Sequence, residues 1–275
     1  MAEIIKGLDL AVYHDPANGW VSHSRLHDFI ERGPAYYRGR YITGEIARKE
    51  TAALTFGQAL EDLFQRGGEY FAQHYAVRPA HLKGNTTAGK QWAAAQQDRK
   101  IVTDEDWQSM LAMVASLRTC EKGVALVDGA EEQITLRGEV FGLRMQARPD
   151  YVHLSEYGAY SVDLKTTRDM NEVMRGRAPV QFGYITQAAL VRRLMQANGY
   201  TPASAYLFVV ESQASYRREC FEVEPEYLAW ADQLLEKECA ELKRCLDSDV
   251  WPLGSDEVIT LKKPGWARVE QEVAQ

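Results

Sequence analysis

Apolar residues recur at three- and four-residue spacing in several stretches of this chain, which is the period of an amphipathic helix. Ser22 is placed to cap the first of these helices, which should end at the Gly33-Pro34 pair. Residues 79–103 are mostly polar and are expected to form a mobile insertion that contains a helix rich in alanine and glutamine. Further helices are predicted over residues 54–64, 103–117, 179–198 and 224–246.

A second pattern, in which apolar residues alternate with polar ones or run continuously, predicts strands. Residues 205–210 are mainly apolar and are expected to form a central strand. Residues 217–223 alternate and predict a further strand. Between residues 140 and 167 the alternation indicates strands that follow one another along the chain, with polar residues at their ends.

The composition limits the classes of protein to which this chain can belong. It has 275 residues, of which 45% are hydrophobic and 26% are charged, as in an ordinary globular protein. No linker divides it, so we expect one domain over residues 1–275 with its core at about residues 50–247. No apolar run reaches the roughly 18 residues of a membrane-spanning helix, and the first residues lack a secretory pattern. A cytoplasmic protein without a membrane partner is therefore expected.

Charge and metal-binding residue types narrow the candidate chemistry. The formal net charge of −7 argues against a protein that coats nucleic acid, but it allows an enzyme that binds DNA in a local groove. The four cysteines include no C-x-x-C pair, so zinc and disulfide frameworks are not expected. His23 and His27 are interpreted as surface or capping residues and not as metal ligands.

Residues 144–167 hold the strongest candidate site. Asp163 and Lys165 lie in a stretch with strand character, so they should share one face while Leu164 points to the other face, toward the core. Asp150 follows Pro149 and is expected at a strand end or bend. Two adjacent strands would bring both carboxylates and the lysine together. Such an oxygen-rich site suits a hard divalent cation, and the ammonium could steady an attacking water or a charged phosphate.

Taken alone, this pattern is also compatible with a simpler structure. A D-x-K triplet is common by chance, and the alternative is a surface hairpin in which Asp163 and Lys165 form a solvated ion pair. A third carboxylate, Glu61, lies one helical turn after Gly57, so both are on one face of their helix. A glycine at that place allows a ligand or another backbone to approach closely.

Basic and aromatic side chains are mixed in one early stretch, residues 35–41. Its Tyr37, Arg38 and Arg40 could grip a phosphate backbone and stack on bases, or the tyrosines could simply pack a helix end. Near the end of the chain, three more residues are possible nucleic-acid contacts: Lys262, Lys263 and Trp266.

Several segments occur in the order that is known from one nuclease family. They are SHSRLHDFIERGPAYYRGR, LTFGQALEDLF, the RPD that ends at Asp150, VDLKTT around Asp163 and Lys165, YITQAAL around Gln187, and DVWP with LKKPGWA near the end. In these segments the chain resembles the nuclease domain of the exodeoxyribonuclease VIII (RecE-like) family of the PD-(D/E)XK superfamily. The resemblance covers almost the whole chain.

The resemblance implies an α/β (α+β) fold, a central mixed β-sheet flanked by helices, and metal-dependent cleavage of phosphodiester bonds. By position, Asp150 and Asp163 would bind the metal, together with the main-chain carbonyl of Leu164. Lys165 would be the catalytic lysine, and Gln187 would help to arrange the site. Glu61 stands where the family carries histidine, and a carboxylate there suits Mg²⁺ with Mn²⁺ as a substitute. A second departure is Val191, at a place where many relatives have tyrosine.

The function that the resemblance implies is a Mg²⁺-dependent exonuclease acting on double-stranded DNA ends. It would degrade one strand 5′→3′, leave a 3′ single strand for phage-type recombination, work with a RecT-like single-strand annealing recombinase, and form a ring-shaped homo-oligomer. The alternatives are an endonuclease, or a DNA-binding or assembly protein whose site is defective. Five arginines are expected to hold the DNA backbone: Arg38, Arg40, Arg175, Arg177 and Arg217.

Overall fold

The computed structural model describes residues 2–47, 51–255 and 257–262. The helices are α1 (Leu10–His14), α2 (His23–Arg32), α3 (Pro34–Tyr41), α4 (Ala52–His74), α5 (Thr87–Ala94), α6 (Asp104–Arg118), α7 (Glu121–Val127), α8 (Met170–Met174), α9 (Arg177–Gln181), α10 (Tyr184–Ala197) and α11 (Pro225–Ser248). The strands are β1 (Glu3–Ile5), β2 (Val21–Ser22), β3 (Tyr75–Arg78), β4 (Lys100–Thr103), β5 (Glu131–Glu132), β6 (Thr135–Val140), β7 (Leu143–Ala147), β8 (Tyr151–Ser155), β9 (Gly158–Thr167), β10 (Pro202–Glu211) and β11 (Arg218–Glu222).

A mixed sheet of five strands lies at the centre, in the order β11-β10-β9-β8-β5. Strands β9 and β10 are parallel, and the other neighbours in this sheet are antiparallel. The parallel pair is joined by α8, α9 and α10, as a crossover connection requires. This confirms the expected class, a mixed α/β sheet flanked by helices. A second sheet of four strands, β1-β6-β7-β2, brings the N-terminal strands beside the hairpin of β6 and β7.

The central sheet has a hydrophobic core on each face, because side chains alternate along its strands. On β10, Leu207 and Val209 belong to the core that α10 and α11 cover. The residues between and after them, Phe208 and Val210, belong to the core that α4 and α6 cover. Leu164 packs against this second core, as predicted, so the neighbouring residues of β9 are directed to the α10 side.

Local sequence signals account for several helix ends. Ser22 caps α2, with its hydroxyl accepting a hydrogen bond from the N–H of Arg25, and Gly33 follows the last turn. Thr103 and Asp106 form a reciprocal capping box at the start of α6. The helix predicted from Glu224 and Pro225 is α11. None of the helices within the described ranges has both the length and the apolar character needed to cross a membrane.

Two predictions need correction. The helix expected over residues 179–198 is broken into α9 and α10 at Gly183, which has φ of +67°. A Cβ atom at Gly183 would lie 2.8 Å from ring atoms of both His23 and His27, so glycine permits a turn and a close contact together. In the expected insertion over residues 79–103, α5 is present, but the last four residues are β4, which pairs in parallel with β3.

Candidate active site

The register of two strands brings the predicted aspartates together. In the antiparallel pair β8 and β9, Tyr151 lies opposite Val162 and Val152 opposite Ser161. One step further in the same register places Asp150, in the bend just before β8, opposite Asp163. The prediction that Asp150 occupies a bend at a strand end is confirmed.

Asp163 and Lys165 share a face of β9 and are in contact. The Nζ atom of Lys165 lies 3.1 Å from Oδ2 of Asp163, and their side chains are only 17% and 9% exposed. The ion pair is therefore not the solvated surface pair that the sequence allowed as an alternative. Asp150 is linked to the same strand, because its Oδ2 accepts a hydrogen bond of 2.7 Å from the N–H of Leu164.

Glu61 reaches this group from α4, and Gln133 holds it there. The amide Nε2 of Gln133 donates to Oε1 of Glu61 at 2.7 Å, and its main-chain N–H donates to the carbonyl of Asp150 at 3.1 Å. Gln65, one turn along α4, donates a further hydrogen bond to Oε1 of Glu61 at 3.2 Å. The oxygen of the Gln133 amide accepts from Arg148 at 3.2 Å.

Gln133 could not be found from the sequence, because a glutamine in a turn carries no signal of its own. Its φ of +47° is uncommon for a side chain of this size. A residue keeps such a conformation only when its contacts with the surrounding residues hold it there. No periodicity or motif could have indicated that this glutamine joins α4 to Asp150.

The three carboxylates and the lysine alter one another's protonation. Burial raises the pKa of Asp150 well above its usual value, and the nearby charges of Glu61 and Asp163 raise it further. Burial likewise raises the pKa of Glu61, against the hydrogen bond from Gln133, which lowers it. Burial would lower the pKa of Lys165, but the carboxylates of Asp163 and Asp150 outweigh it and raise that pKa. The charged forms of Asp150 and Glu61 are therefore disfavoured in this site unless a positive charge offsets them.

The donor atoms fit a hard divalent cation. Oδ1 of Asp163 is buried and has no hydrogen-bond partner in the described part of the chain, although a buried carboxylate oxygen normally has one. A cation held between Asp163, Asp150 and Glu61 would satisfy this oxygen and relieve the repulsion between the carboxylates. Over the residues that the structure describes, no three acidic, histidine or cysteine side chains already stand at metal-binding distances. The carboxylates would therefore have to adjust when a cation binds.

The start of α10 forms another wall of the site. The ring of Tyr184 lies under the ammonium of Lys165, with 5.3 Å between Nζ and the ring centroid. Behind it, Nε2 of His23 is 2.8 Å from Oγ1 of Thr186. Burial, His27 and Lys165 together lower the pKa of His23 to about 3, so its ring is neutral. His23 is the first residue of α2 and is partly buried, so of the two roles expected for it, surface or capping residue, a fully exposed surface position does not apply.

Gln187 lies on the first turn of α10, partly buried, as the family resemblance requires of its position. Its main-chain N–H donates to the carbonyl of Gly183. Its side chain makes no hydrogen bond with any residue in the described part of the chain. The roles expected for Gln187 and for the carbonyl of Leu164 stay predictions. Val191, where relatives have tyrosine, is buried in the core beneath α10.

The predicted DNA contacts form two groups. In the first group, the predicted role of Tyr37 needs correction. Tyr37 is only 4% exposed and stacks on Trp251, with 5.8 Å between ring centroids. The structure therefore gives Tyr37 the packing role that the sequence left open, and its ring is not available to DNA. Arg38 is partly exposed. Arg40 donates to the carbonyl of Ile46 and lies over Tyr41, which restrains its side chain.

The second group of arginines lies around α8 and α9. Arg175 and Arg177 are 65% and 69% exposed and both pair with Glu172. Arg217 pairs with Glu219 and touches the sulfur of Met174. Three exposed apolar side chains lie on the same segment: Met174, Val180 and Phe182. Of the expected contacts near the chain's end, Lys262 is exposed, whereas Lys263 and Trp266 lie outside the described residues.

Comparisons with known proteins agree with this architecture. The chain is similar in fold to a protein from Eubacterium rectale that is named "Putative exonuclease", at 16% identity, with a TM-score of 0.66, over 94% of this chain and 96% of that one. A protein named SSO0001 is more distant, with 14% identity and a TM-score of 0.29 over 69% of this chain and 85% of that chain. No curated protein matches the sequence.

A family description covers most of the chain. Residues 22–264 match the PDDEXK-like domain of unknown function (DUF3799), a stretch that includes Glu61, Asp150, Asp163 and Lys165. The match spans well over half of the 275 residues. The chain therefore belongs to the PDDEXK-like family.

Proposed function

We propose that this protein is a metal-dependent nuclease that hydrolyses phosphodiester bonds in double-stranded DNA, starting from its ends. The observation that carries the proposal is the meeting of three carboxylates with Lys165, where one buried oxygen of Asp163 has no partner among the described residues. Membership of the PDDEXK-like family and the name of the Eubacterium rectale protein support the same class of reaction.

In this mechanism, Asp163, Asp150 and Glu61 would hold Mg²⁺, or Mn²⁺ in its place. A cation bound there would polarise the phosphate and stabilise charge on the attacking and leaving oxygens. Lys165, held by Asp163 and Tyr184, donates hydrogen bonds to the attacking water or to a phosphate oxygen and so stabilises the charge that develops. Hydrolysis joins the oxygen of water to phosphorus and breaks the bond to one ester oxygen, which takes up a proton.

Two amide side chains and one main-chain N–H keep these groups in place. Gln133 and Gln65 both donate to Oε1 of Glu61 and so orient that carboxylate beside Asp150. The N–H of Leu164 does the same for Asp150. One oxygen of each carboxylate is fixed by a hydrogen bond or an ion pair. Each carboxylate is therefore already oriented, and its side chain would lose little conformational freedom when a cation binds.

The exonuclease form of the activity rests on the resemblance to RecE-like enzymes. We extend the proposal on that basis to 5′→3′ polarity, a 3′ single-stranded product, and a RecT-like annealing partner in phage-type recombination. A ring-shaped homo-oligomer would keep a protein of net charge −7 on DNA through many cuts. Light scattering tests the ring, since a closed tetramer would show close to four times the mass of one chain, and a monomer would contradict it.

One experiment separates the proposal from its alternatives. Purified protein is incubated with linear and with covalently closed circular duplex DNA, in Mg²⁺, in Mn²⁺ or in EDTA. The proposed exonuclease removes linear DNA alone and only when the metal is present. Loss of both substrates would identify an endonuclease. Loss of neither, under conditions where the protein binds DNA, would identify a binding or assembly protein with a defective site.

A further inference from the structure

A second site lies away from the carboxylates, at the far end of α4. A cleft of about 400 Å³ opens between α4, β3 and the helices α5 and α6. Four aromatic side chains and one arginine are among the residues that line it: Phe71, Tyr75, Trp92, Trp107 and Arg99. We call this the aromatic cleft. Its volume falls within the roughly 300–1,000 Å³ that is usual for small-ligand pockets.

The rings of the aromatic cleft form a floor and walls. Phe71 and Tyr75 are almost completely buried and stack on each other, with 4.8 Å between centroids and 19° between planes. Trp107 lies 4.6 Å from Phe71, measured between centroids, and is partly exposed. Trp92, on α5, is partly exposed as well. Part of the surface of each tryptophan is therefore accessible to a ligand in the cleft.

The segment that contains the lining residues of the cleft is neutral. Residues 68–107 carry five basic side chains, Arg78, Lys83, Lys90, Arg99 and Lys100, and five acidic ones, Glu69, Asp98, Asp104, Glu105 and Asp106. The complete chain carries −7, so all of the net negative charge lies outside this segment. A polyanion is therefore repelled less here than by the rest of the chain.

Arg99 is placed to act at the mouth of the cleft. Its guanidinium donates to Oε1 of Gln96 at 2.6 Å and approaches the carbonyl of Ala72 at 3.5 Å. Among the described residues it has no carboxylate partner, so its charge is free to pair with an anion. An aromatic slot with an uncompensated guanidinium beside it matches the two parts of a nucleotide, a flat base and a phosphate.

The cleft is connected to the carboxylate site through α4. Tyr75 lines the cleft, and its hydroxyl donates to Asp62 at 2.7 Å, the residue next to Glu61. Gly68, another lining residue, follows Glu61 by two turns, or about 10 Å along a helix axis. Between them Gly67, with φ of +80°, breaks the regular helix and turns its second part toward β3. The cleft and the carboxylate site therefore share α4 and lie about two helical turns apart along it.

We propose that the aromatic cleft binds an unpaired base of single-stranded DNA, with Arg99 on the adjacent phosphate. In a duplex the faces of the bases are covered by stacking, so rings in a cleft can only receive a base that has been separated from its partner. The inference rests on the proposed function in that it takes DNA as the substrate. It adds a binding subsite for single-stranded DNA, to which Glu61, Asp150 and Asp163 do not contribute.

The test measures binding without cleavage. Fluorescence anisotropy of a labelled 20-nucleotide dT oligonucleotide is recorded in EDTA with the full chain, with Trp92→Ala and with Arg99→Glu. Removing one stacking ring should weaken binding at least fivefold, and Trp92→Phe should recover most of the affinity. The matched control is Trp230→Ala, which removes an exposed tryptophan from α11 and should bind like the parent protein. Unchanged affinity in both Trp92→Ala and Arg99→Glu would overturn the proposal.

A second measurement does not depend on the folding of a variant. The parent protein is cross-linked by light to an oligonucleotide that contains bromodeoxyuridine, and the modified peptide is identified by mass spectrometry. Cross-links within residues 68–107 support the subsite, and cross-links confined to other segments overturn it. The proposal is also overturned if the parent protein binds no single-stranded DNA. An apolar protein segment would then be the alternative ligand of the cleft. Since both measurements are made in EDTA, their outcome is independent of whether the protein cleaves DNA.

Discussion

The Nζ atom of Lys165 lies 3.1 Å from Oδ2 of Asp163, while Oδ1 of the same carboxylate is buried and finds no partner within the described ranges of the chain. One oxygen of this carboxylate thus holds an ammonium, and the other is available to a metal ion. In the proposed mechanism, this division would let a single aspartate both place the lysine and contribute to metal binding. It also means that the effects of removing Asp163 and of removing Lys165 can be told apart.

Replacing Lys165 should affect turnover far more than metal binding. Lys165→Ala removes the ammonium that we propose acts on the attacking water or the phosphate, and we expect turnover to fall about 100- to 1,000-fold. Lys165→Arg should recover little, because a planar guanidinium cannot take the place of a compact ammonium between Asp163 and Tyr184. Turnover on linear duplex DNA and calorimetric Mn²⁺ binding are compared with those of Lys243→Ala, an exposed lysine on α11. Near-normal turnover of Lys165→Ala would exclude a catalytic role.

Replacing Asp163 should remove metal binding and also lower stability. Because its side chain is only 9% exposed and pairs with Lys165, Asp163→Ala leaves a partly buried ammonium without its nearest partner, at a cost of about 1–3 kcal/mol. Urea unfolding measures this cost. The double variant Asp163→Ala/Lys165→Ala should regain part of it without regaining cleavage. Wild-type cleavage in Mg²⁺ by Asp163→Ala would refute the site assignment.

Glu61 and its amide partner should set the metal requirement. Glu61→Gln removes one charged ligand, so the Mg²⁺ concentration for half-maximal rate should rise about tenfold, whereas Glu61→His should retain activity better with Mn²⁺. Gln133→Ala should shift the requirement in the same direction by a smaller factor, because it frees the Glu61 side chain. Asp62→Asn is the matched control, since Asp62 bonds to Tyr75 instead. A Glu61→Gln titration that overlays the parent's would place Glu61 outside the metal site.

The arginines near α9 should contribute salt-dependent DNA binding. Arg175→Ala and Arg177→Ala each remove one exposed charge from the segment of α8 and α9. We expect the logarithm of the DNA-binding constant to fall linearly with the logarithm of the salt concentration. The magnitude of this slope should decrease by about 0.9 for each phosphate that a variant no longer neutralises. Arg217→Ala tests the third predicted arginine in the same way. Binding to a blunt duplex is measured in EDTA at several salt concentrations, with Arg244→Ala on α11 as control. Slopes equal to that of the parent would remove these arginines from the interface.

Glu238 gives a pH test that is independent of the active site. Burial, with the charges of Glu241 and Glu31, raises the pKa of Glu238 from 4.5 to about 7. The folded state therefore favours the protonated carboxyl, and this stabilisation is complete below about pH 4.5 and is lost as the pH rises through 7. Glu238 is partly exposed, so we expect about 1 kcal/mol after allowance for solvent screening.

The measurement is the urea midpoint of Glu238→Gln between pH 5 and pH 8. The variant should be more stable than the parent at pH 8 and nearly equal to it at pH 5, because glutamine does not ionise. Glu236→Gln, an exposed position on the same helix, should show no such difference. If the urea midpoints of Glu238→Gln and the parent differ by the same amount at both pH values, the raised pKa of Glu238 is contradicted.

Local patterns in the sequence predict most of the helices and strands and the chemistry of one strand. Helical and strand periods depend on backbone geometry that neighbouring residues share, so α2, α6, α11 and β10 could be predicted from local patterns. The alternation of a strand likewise determined that Asp163 and Lys165 share a face. Asp150 at a bend followed from Pro149 and the end of an alternating run.

Only the tertiary structure decided which distant residues meet. Gln133 holds Glu61 across 72 positions of sequence, and Tyr37 is buried against Trp251, because elements far apart in the chain pack together. The break at Gly183 depends on the rings of His23 and His27, and the aromatic cleft depends on the pairing of β3 with β4. Local patterns report which face of an element is apolar, but not which partner covers that face. That choice is made by packing over the whole fold.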